Sequence, residues 1–101
     1  ISKEQQQRTR ELLAEERDRL ETDLIQNQGL VTGFGPLLNL YAENFRLAGI
    51  QWAEGQISVD ELLQVEREWI EQQQEYLIAL SDLFTSKALL AIRNQSYAKN
   101  R

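Results

Sequence analysis

The sequence predicts an all-α fold, a long antiparallel helical hairpin or coiled coil with an additional N-terminal helix. Apolar residues recur at seven-residue spacing over much of the chain, which is typical of helices packed against helices. Five Gly and a single Pro in 101 residues leave room for long helices. Residues 53–63 then join a helix stop to a helix start, which predicts a tight connection between two helices.

The N-terminal residues 1–28 are predicted to form an amphipathic helix. Its apolar stripe is narrow and consists of Leu13, Leu20, Leu24 and Val31. Arg17 and Glu21 stand four residues apart, the spacing of a salt bridge on a helix surface. An isolated amphipathic helix is marginal in water, so this one needs a partner to cover its stripe.

Residues 29–36 interrupt the apolar pattern with three glycines followed by the only proline. They predict a Gly-rich break or sharp kink, with Pro36 at the first position of a new helix. The sequence is compatible both with a first helix that folds back here and with one that continues in much the same direction.

Residues 37–92 are predicted to be the helical hairpin, with its tip at 55–58, and residues 93–101 a basic tail. One apolar column precedes the tip, and two adjacent columns follow it: Leu38, Phe45, Trp52; Leu62, Trp69, Tyr76, Leu83, Leu90; and Leu63, Ile70, Leu77, Phe84, Ala91. Neighbouring residues differ by about 100° around a helix, so the two later columns suit two different neighbours. We expect self-association to cover the second one.

Folding back around position 57 predicts which residues meet across the hairpin. Trp52 would lie opposite Leu62, Phe45 opposite Trp69 and Leu38 opposite Tyr76. Gln73 is expected within the apolar sector, where a buried polar residue can set the register of a coiled coil.

The tip itself is formed by Gly55, Gln56, Ile57 and Ser58. Glycine can adopt the left-handed conformation that ends a helix. Ser58 and Glu61 have the spacing of a reciprocal capping box, and Ile57 and Leu62 that of a hydrophobic staple. The acidic residues Asp60 and Glu61 favour a helix start and are candidate entrance acids. Ile57 serves either as an exposed docking contact or only as the staple, and the sequence leaves both open.

Composition excludes several function classes. Without Cys or His, the chain has no disulfide, no Cys-His zinc site and no usual general base. We therefore expect no enzyme, no metal site and no cofactor; a carboxylate-only hydrolase is disfavoured because no second catalytic residue type accompanies the acids. A net charge of −5 argues against nucleic acid as a partner. One acidic column is either a cation-attracting lining or a solvent face: Glu61, Glu68, Glu75, Asp82.

Residues 47–67, with the run Tyr76-Leu77-Ile78-Ala79-Leu80, resemble the C-terminal repeat of TolC-like outer-membrane efflux proteins. The matching positions are Gly55, Ser58, Leu62, Leu63 and Arg67. Two departures stand beside them: Gln51-Trp52 replaces an arginine-tyrosine pair, and Glu61 replaces an aspartate. The glutamate-rich tip is more similar to the heavy-metal-cation efflux branch than to the drug branch.

This resemblance implies a piece of an α-barrel in the periplasm, at the outer membrane of a Gram-negative cell. The chain would be part of a passive export conduit, a homotrimer in the full-length protein, whose tip docks a membrane-fusion adaptor or an inner-membrane pump. A start at Ile1 rather than Met fits a processed or excised segment. The alternative is a stand-alone coiled-coil scaffold or adaptor that oligomerises through its heptads.

Overall fold

The structure is a computed structural model that describes residues 2–99, and for residues 96–99 the backbone only. Two α-helices account for nearly all of it: α1, Lys3–Ala53, and α2, Val59–Lys99. They pack against each other as a hairpin, and the described residues contain no strand. The predicted all-α hairpin is confirmed.

The contacts between the helices fall into two units. The tip unit comprises Leu30–Leu80, and the base unit comprises the residues up to Gly29 together with those from Ser81 onward. Each unit contains a segment of α1 packed on a segment of α2.

In the tip unit the core consists of aromatic rings and small residues. The rings of Phe45 and Trp69 stack with their centroids 5.4 Å apart and an angle of 20° between their planes, as the predicted register requires. The ring of Tyr76 packs edge-on against Phe34, at 5.8 Å and 63°. The predicted partner of Tyr76 is Leu38, and Phe34 lies one helical turn before it. A side chain that packs into the gap between positions i and i+4 of the facing helix lies beside both positions, so the contact with Phe34 fits the predicted register.

The core of the base unit contains leucines and polar side chains. Leu20 and Leu83 are buried, and so is Ser86, which accepts a hydrogen bond from the side-chain amide of Asn27. Arg93 of α2 forms a 3.0 Å salt bridge with Glu16 of α1. The predicted pair Arg17–Glu21 is present along α1 at 3.2 Å.

Of the two alternatives predicted for residues 29–36, the break is wrong, because α1 continues through this segment with Pro36 inside it. The three glycines there have no positive φ, and Gly55 is the glycine for which one is found. Each glycine costs a helix about 1 kcal/mol and a proline about 3 kcal/mol relative to alanine. Packing of the flanking apolar side chains Val31, Phe34 and Leu38, all half-buried, offsets that cost.

Three further expectations need correction. The segment predicted as a basic tail continues α2 as far as Lys99, while Asn100 and Arg101 lie outside the described residues. Gln73 is exposed, whereas Gln72 is half-buried. Gln72 lies three residues after Trp69 and therefore on the face of α2 that packs against α1, and Gln73 points away from that face. Trp52, predicted to lie opposite Leu62 in the apolar column, is 48% exposed, one residue before the end of α1 at Ala53.

Candidate functional site at the hairpin tip

The connection between the helices, residues 54–58, begins with a cap that ends α1. The N–H of Gly55 donates to the carbonyl of Trp52 at 3.0 Å, and the N–H of Gln56 donates to the carbonyl of Gln51 at 2.8 Å. These two bonds define a Schellman motif, which satisfies carbonyls that the helix end would otherwise leave without donors. The chain therefore leaves α1 in one defined direction.

Gly55 makes this turn feasible. Its φ is +75°, in the left-handed region that costs a residue with a Cβ about 1–2 kcal/mol. A Cβ built at Gly55 would meet no atom within 4 Å, so the space beside it is open. Glycine is thus needed here for its backbone conformation and not for lack of room, and the bare backbone is accessible from outside the hairpin.

The start of α2 is fixed by Ser58. Its hydroxyl accepts a 3.1 Å hydrogen bond from the backbone N–H of Glu61, and its carbonyl accepts the N–H of Leu62 at 3.1 Å. The predicted cap is confirmed, but only half of the capping box forms. Within the described residues the Glu61 carboxylate does not accept the N–H of Ser58.

The structure brings the predicted tip residues together on one connection but does not expose all of them. Gly55, Gln56 and Ser58 are exposed, whereas Ile57 is half-buried. Of the two alternatives for Ile57, its partial burial favours the staple onto Leu62, itself half-buried. The exposed part of the tip is polar side chain and glycine backbone.

The candidate entrance acids are accessible to solvent. Asp60 and Glu61 are exposed in the first turn of α2, where negative charge stabilises the helix end. Each member of the acidic column is exposed as well: Glu61, Glu68, Glu75, Asp82. Among the described residues no three carboxylates are grouped closely enough to hold a metal ion. The column can attract cations along the helix but has no chelating geometry.

One of the few basic groups of the tip unit is held in a local ion pair on α1. Arg46 donates two hydrogen bonds to the carboxylate of Glu43, at 2.6 and 2.9 Å. The hydrogen bond from Arg46 lowers the pKa of the Glu43 carboxyl, and the same bond raises the pKa of Arg46. Both side chains are exposed, so the pair orients charge on α1 and contributes little to stability.

Comparisons with known proteins identify no family for this chain. No family model matches it, no curated protein is similar to it, and no solved structure matches its fold. The resemblance to TolC-like proteins therefore stays a prediction from the sequence. Across the described residues no helix is both long and apolar enough to span a bilayer.

Two polar features were missed at the level of the sequence. Ser2 and Gln5 form a reciprocal capping box at the start of α1, with bonds of 3.3 and 3.1 Å. The Ser-x-x-Gln spacing is the signal that could have found it. The second feature, Asn27 with Ser86, joins residues 59 positions apart, and no local pattern indicates it.

Proposed function

We propose that this chain is a periplasmic helical segment of an outer-membrane efflux channel, and that its tip docks a membrane-fusion adaptor or an inner-membrane pump. The full-length protein would be a homotrimer, and the segment would contribute passively to the wall of an export conduit. The observation that carries the proposal is the tip: two long helices joined by five residues, with exposed glycine backbone at Gly55 between exposed polar side chains.

The geometry suits docking to another protein in two respects. Open space beside the Cα of Gly55 lets a partner backbone approach closely. Gln56 and Ser58 then offer hydrogen-bonding groups on either side of the half-buried Ile57. Because the caps at both helix ends hold this turn in one conformation, little entropy is lost when a partner binds.

The test uses the full-length protein in cells. Gln56→Trp leaves the Schellman bond intact, because Gln56 contributes only its backbone N–H, but it places a bulky ring on the tip. We expect export-dependent resistance to be lost while the protein reaches the outer membrane in normal amount. Gln26→Trp, an exposed position on α1, is the matched control and should retain resistance.

Normal resistance with Gln56→Trp would remove the tip from the docking surface. Loss of resistance with both variants would show a general effect of the added ring. Protein abundance in the outer-membrane fraction must be measured beside each assay, since a destabilised channel also loses export.

A coiled-coil scaffold or adaptor is the second candidate, and the exposed apolar surface fits it as well as it fits a channel segment. Sixteen large hydrophobic side chains are exposed among the described residues, against four buried hydrophobic ones. Both functions need partners to cover this surface. The full-length gene discriminates between them: a signal peptide, a second similar repeat and alternating strands of about ten residues would support the channel.

A further inference from the structure

The tip unit exposes an apolar ridge on α2 that is surrounded by acids. The ridge consists of Val59, Leu63, Ile70 and Leu77, which are 52%, 46%, 40% and 62% exposed. Their spacing of four, seven and seven residues places them in one line along the helix. At about 1.5 Å per residue the line is roughly 27 Å long, the length of a partner helix of about 18 residues.

The first helix does not cover this ridge. α1 packs on the neighbouring column of α2, where the ring of Trp69 stacks on Phe45 and that of Tyr76 contacts Phe34. Ile70 follows Trp69 directly, so it points about 100° away from that seam. Apolar side chains repeated in this way are the anchors on which an amphipathic helix docks. The ridge therefore fits a helix from outside the tip unit.

The charges on this half of α2 are predominantly negative. Between Val59 and Leu80 the helix carries one base, Arg67, and six acids: Asp60, Glu61, Glu66, Glu68, Glu71, Glu75. Glu66 is half-buried and the other five acids are exposed. The other base of the tip unit, Arg46, lies on α1 and pairs with Glu43. The ridge thus lies in a field that attracts cations.

Acids flank the ridge on both sides. Glu71 directly follows Ile70, so it lies about 100° to one side of the ridge, where Arg67 is the single base. Glu66, four residues before Ile70, lies about 40° to the other side. Lys and Arg side chains of a helix seated on the ridge can reach both acids, because their long stems lie along apolar surface while the charge stays in water.

Charge also decides between two kinds of occupant. A second copy of the chain, the occupant expected from the heptads, has a net charge of −5 and meets like charge at this face. Glu68 and Glu75 add to that repulsion from about 160° around the helix. We infer that the ridge binds a basic amphipathic helix of another protein, whose apolar side chains pack on Ile70 and its neighbours. Its Lys and Arg side chains pair with Glu66 and Glu71, which selects the partner by charge.

The test is a binding titration of the full 101-residue chain with a labelled synthetic helix. The probe has about 21 residues, three repeats of Leu-Lys-Lys-Leu-Leu-Lys-Leu. We expect it to bind, and to bind more weakly as salt is raised. The same peptide with Glu in place of Lys keeps the apolar pattern and should bind at least about tenfold more weakly.

One pair of variants tests the ridge itself. Ile70→Lys should weaken binding of the basic peptide by about 30-fold or more, since it places a cation at the centre of the ridge. Ile50→Lys is the matched control, because Ile50 is 43% exposed but lies on α1, about 140° around that helix from the seam residue Phe45. Far-UV circular dichroism checks that both variants keep their helices, which lysine supports. Should Ile70→Lys lose helix, Leu77→Lys takes its place, with the 55% exposed Leu40→Lys as its control.

A second pair of variants tests the flanking acids at equal net charge. Glu66→Gln with Glu71→Gln should weaken binding of the basic peptide by about fivefold, because both carboxylates face the bound helix. Glu68→Gln with Glu75→Gln removes the same charge from the far side of α2 and should weaken binding by less than about twofold.

The inference is overturned if the acidic peptide binds as tightly as the basic one, or if the two members of either pair of variants weaken binding equally. It is also overturned if the chain alone sediments as an oligomer that Ile70→Lys dissociates, because a second copy then covers the ridge.

This inference does not rest on the proposed function. The ridge begins at Val59, after the connection of residues 54–58 that the tip assay tests. Gln56→Trp should leave peptide binding unchanged, and the titration involves no export. Failure of peptide binding therefore leaves the tip assay unaffected, and loss of tip docking leaves the titration unaffected.

Discussion

The side-chain amide of Asn27 donates a 2.6 Å hydrogen bond to the hydroxyl of Ser86, across the seam between α1 and α2. Ser86 is only 8% exposed, and the same amide lies 3.4 Å from the carbonyl of Asp82. A shift of the helices by one heptad would place Ser86 opposite an apolar residue such as Leu20 and leave its hydroxyl without this partner. The pair therefore favours one register at some cost in stability.

Removing one member of this pair should destabilise the hairpin more than removing both. Asn27→Leu leaves a buried hydroxyl without its donor, at a cost of about 1–3 kcal/mol. The double change Asn27→Leu with Ser86→Ala should recover most of that loss, because no buried polar group then remains unsatisfied. Urea unfolding of the two single variants and the double variant measures the coupling. Independent, additive losses would show that the pair does not interact in solution.

Two glycines should respond to alanine in opposite directions. Gly33 lies within α1, and a Cβ there would meet nothing within 4 Å, so Gly33→Ala should stabilise the hairpin by about 0.5–1 kcal/mol. Gly55→Ala should destabilise it by about 1–2 kcal/mol, since its φ is +75°. Gly55→Val should be worse, because a β-branched residue is strained in that region.

Thermal melts of Gly33→Ala and Gly55→Ala under one set of conditions compare their signs directly. If Gly55→Ala were neutral, the left-handed turn would not be the conformation in solution. A destabilising Gly33→Ala would contradict the open space beside this glycine on α1.

How far each feature of the fold is predictable from the sequence depends on the range of the interactions that form it. The helix caps at Gly55 and Ser58 involve only residues within about four positions along the chain, so the local sequence predicts them, and the structure confirms both. The seam residue Trp69 was found because a seven-residue repeat extends over the whole helix. Local propensity around Pro36 disfavours a helix, but packing along a 51-residue helix overrides that preference. Asn27 and Ser86 meet only once the register is set, so no local signal predicts them.

The docking part of the site was predictable only in outline. The sequence placed Gln56, Ile57 and Ser58 on one turn, and the structure keeps them there. The sequence left open whether Ile57 is exposed or packs as a staple, because that depends on how the chain enters α2, and in the structure Ile57 is half-buried.

The register of the tip unit predicts a specific cross-link. The chain has no cysteine, so the pair Phe45→Cys and Trp69→Cys introduces the only two thiols. Because the two rings stack across the seam, we expect this pair to cross-link faster under mild oxidation than a pair whose positions do not face each other. Phe45→Cys with Gln73→Cys is the control, since Gln73 is exposed and one turn further along α2. Faster cross-linking of the control pair would show that the register is wrong by one turn.

The half-formed capping box at Ser58 leads to the last prediction. Ser58→Ala removes the acceptor of the Glu61 N–H and should cost about 0.5–2 kcal/mol, while Ser58→Asp keeps an acceptor and should cost less. Glu61→Ala removes only a charge at the helix start, worth about 0.3–1 kcal/mol, because its carboxylate makes no bond to Ser58. The two losses should therefore add within about 0.5 kcal/mol in urea melts of the single and double variants. A larger coupling, with the double variant less destabilised than the sum, would show that the Glu61 carboxylate accepts the N–H of Ser58 in solution.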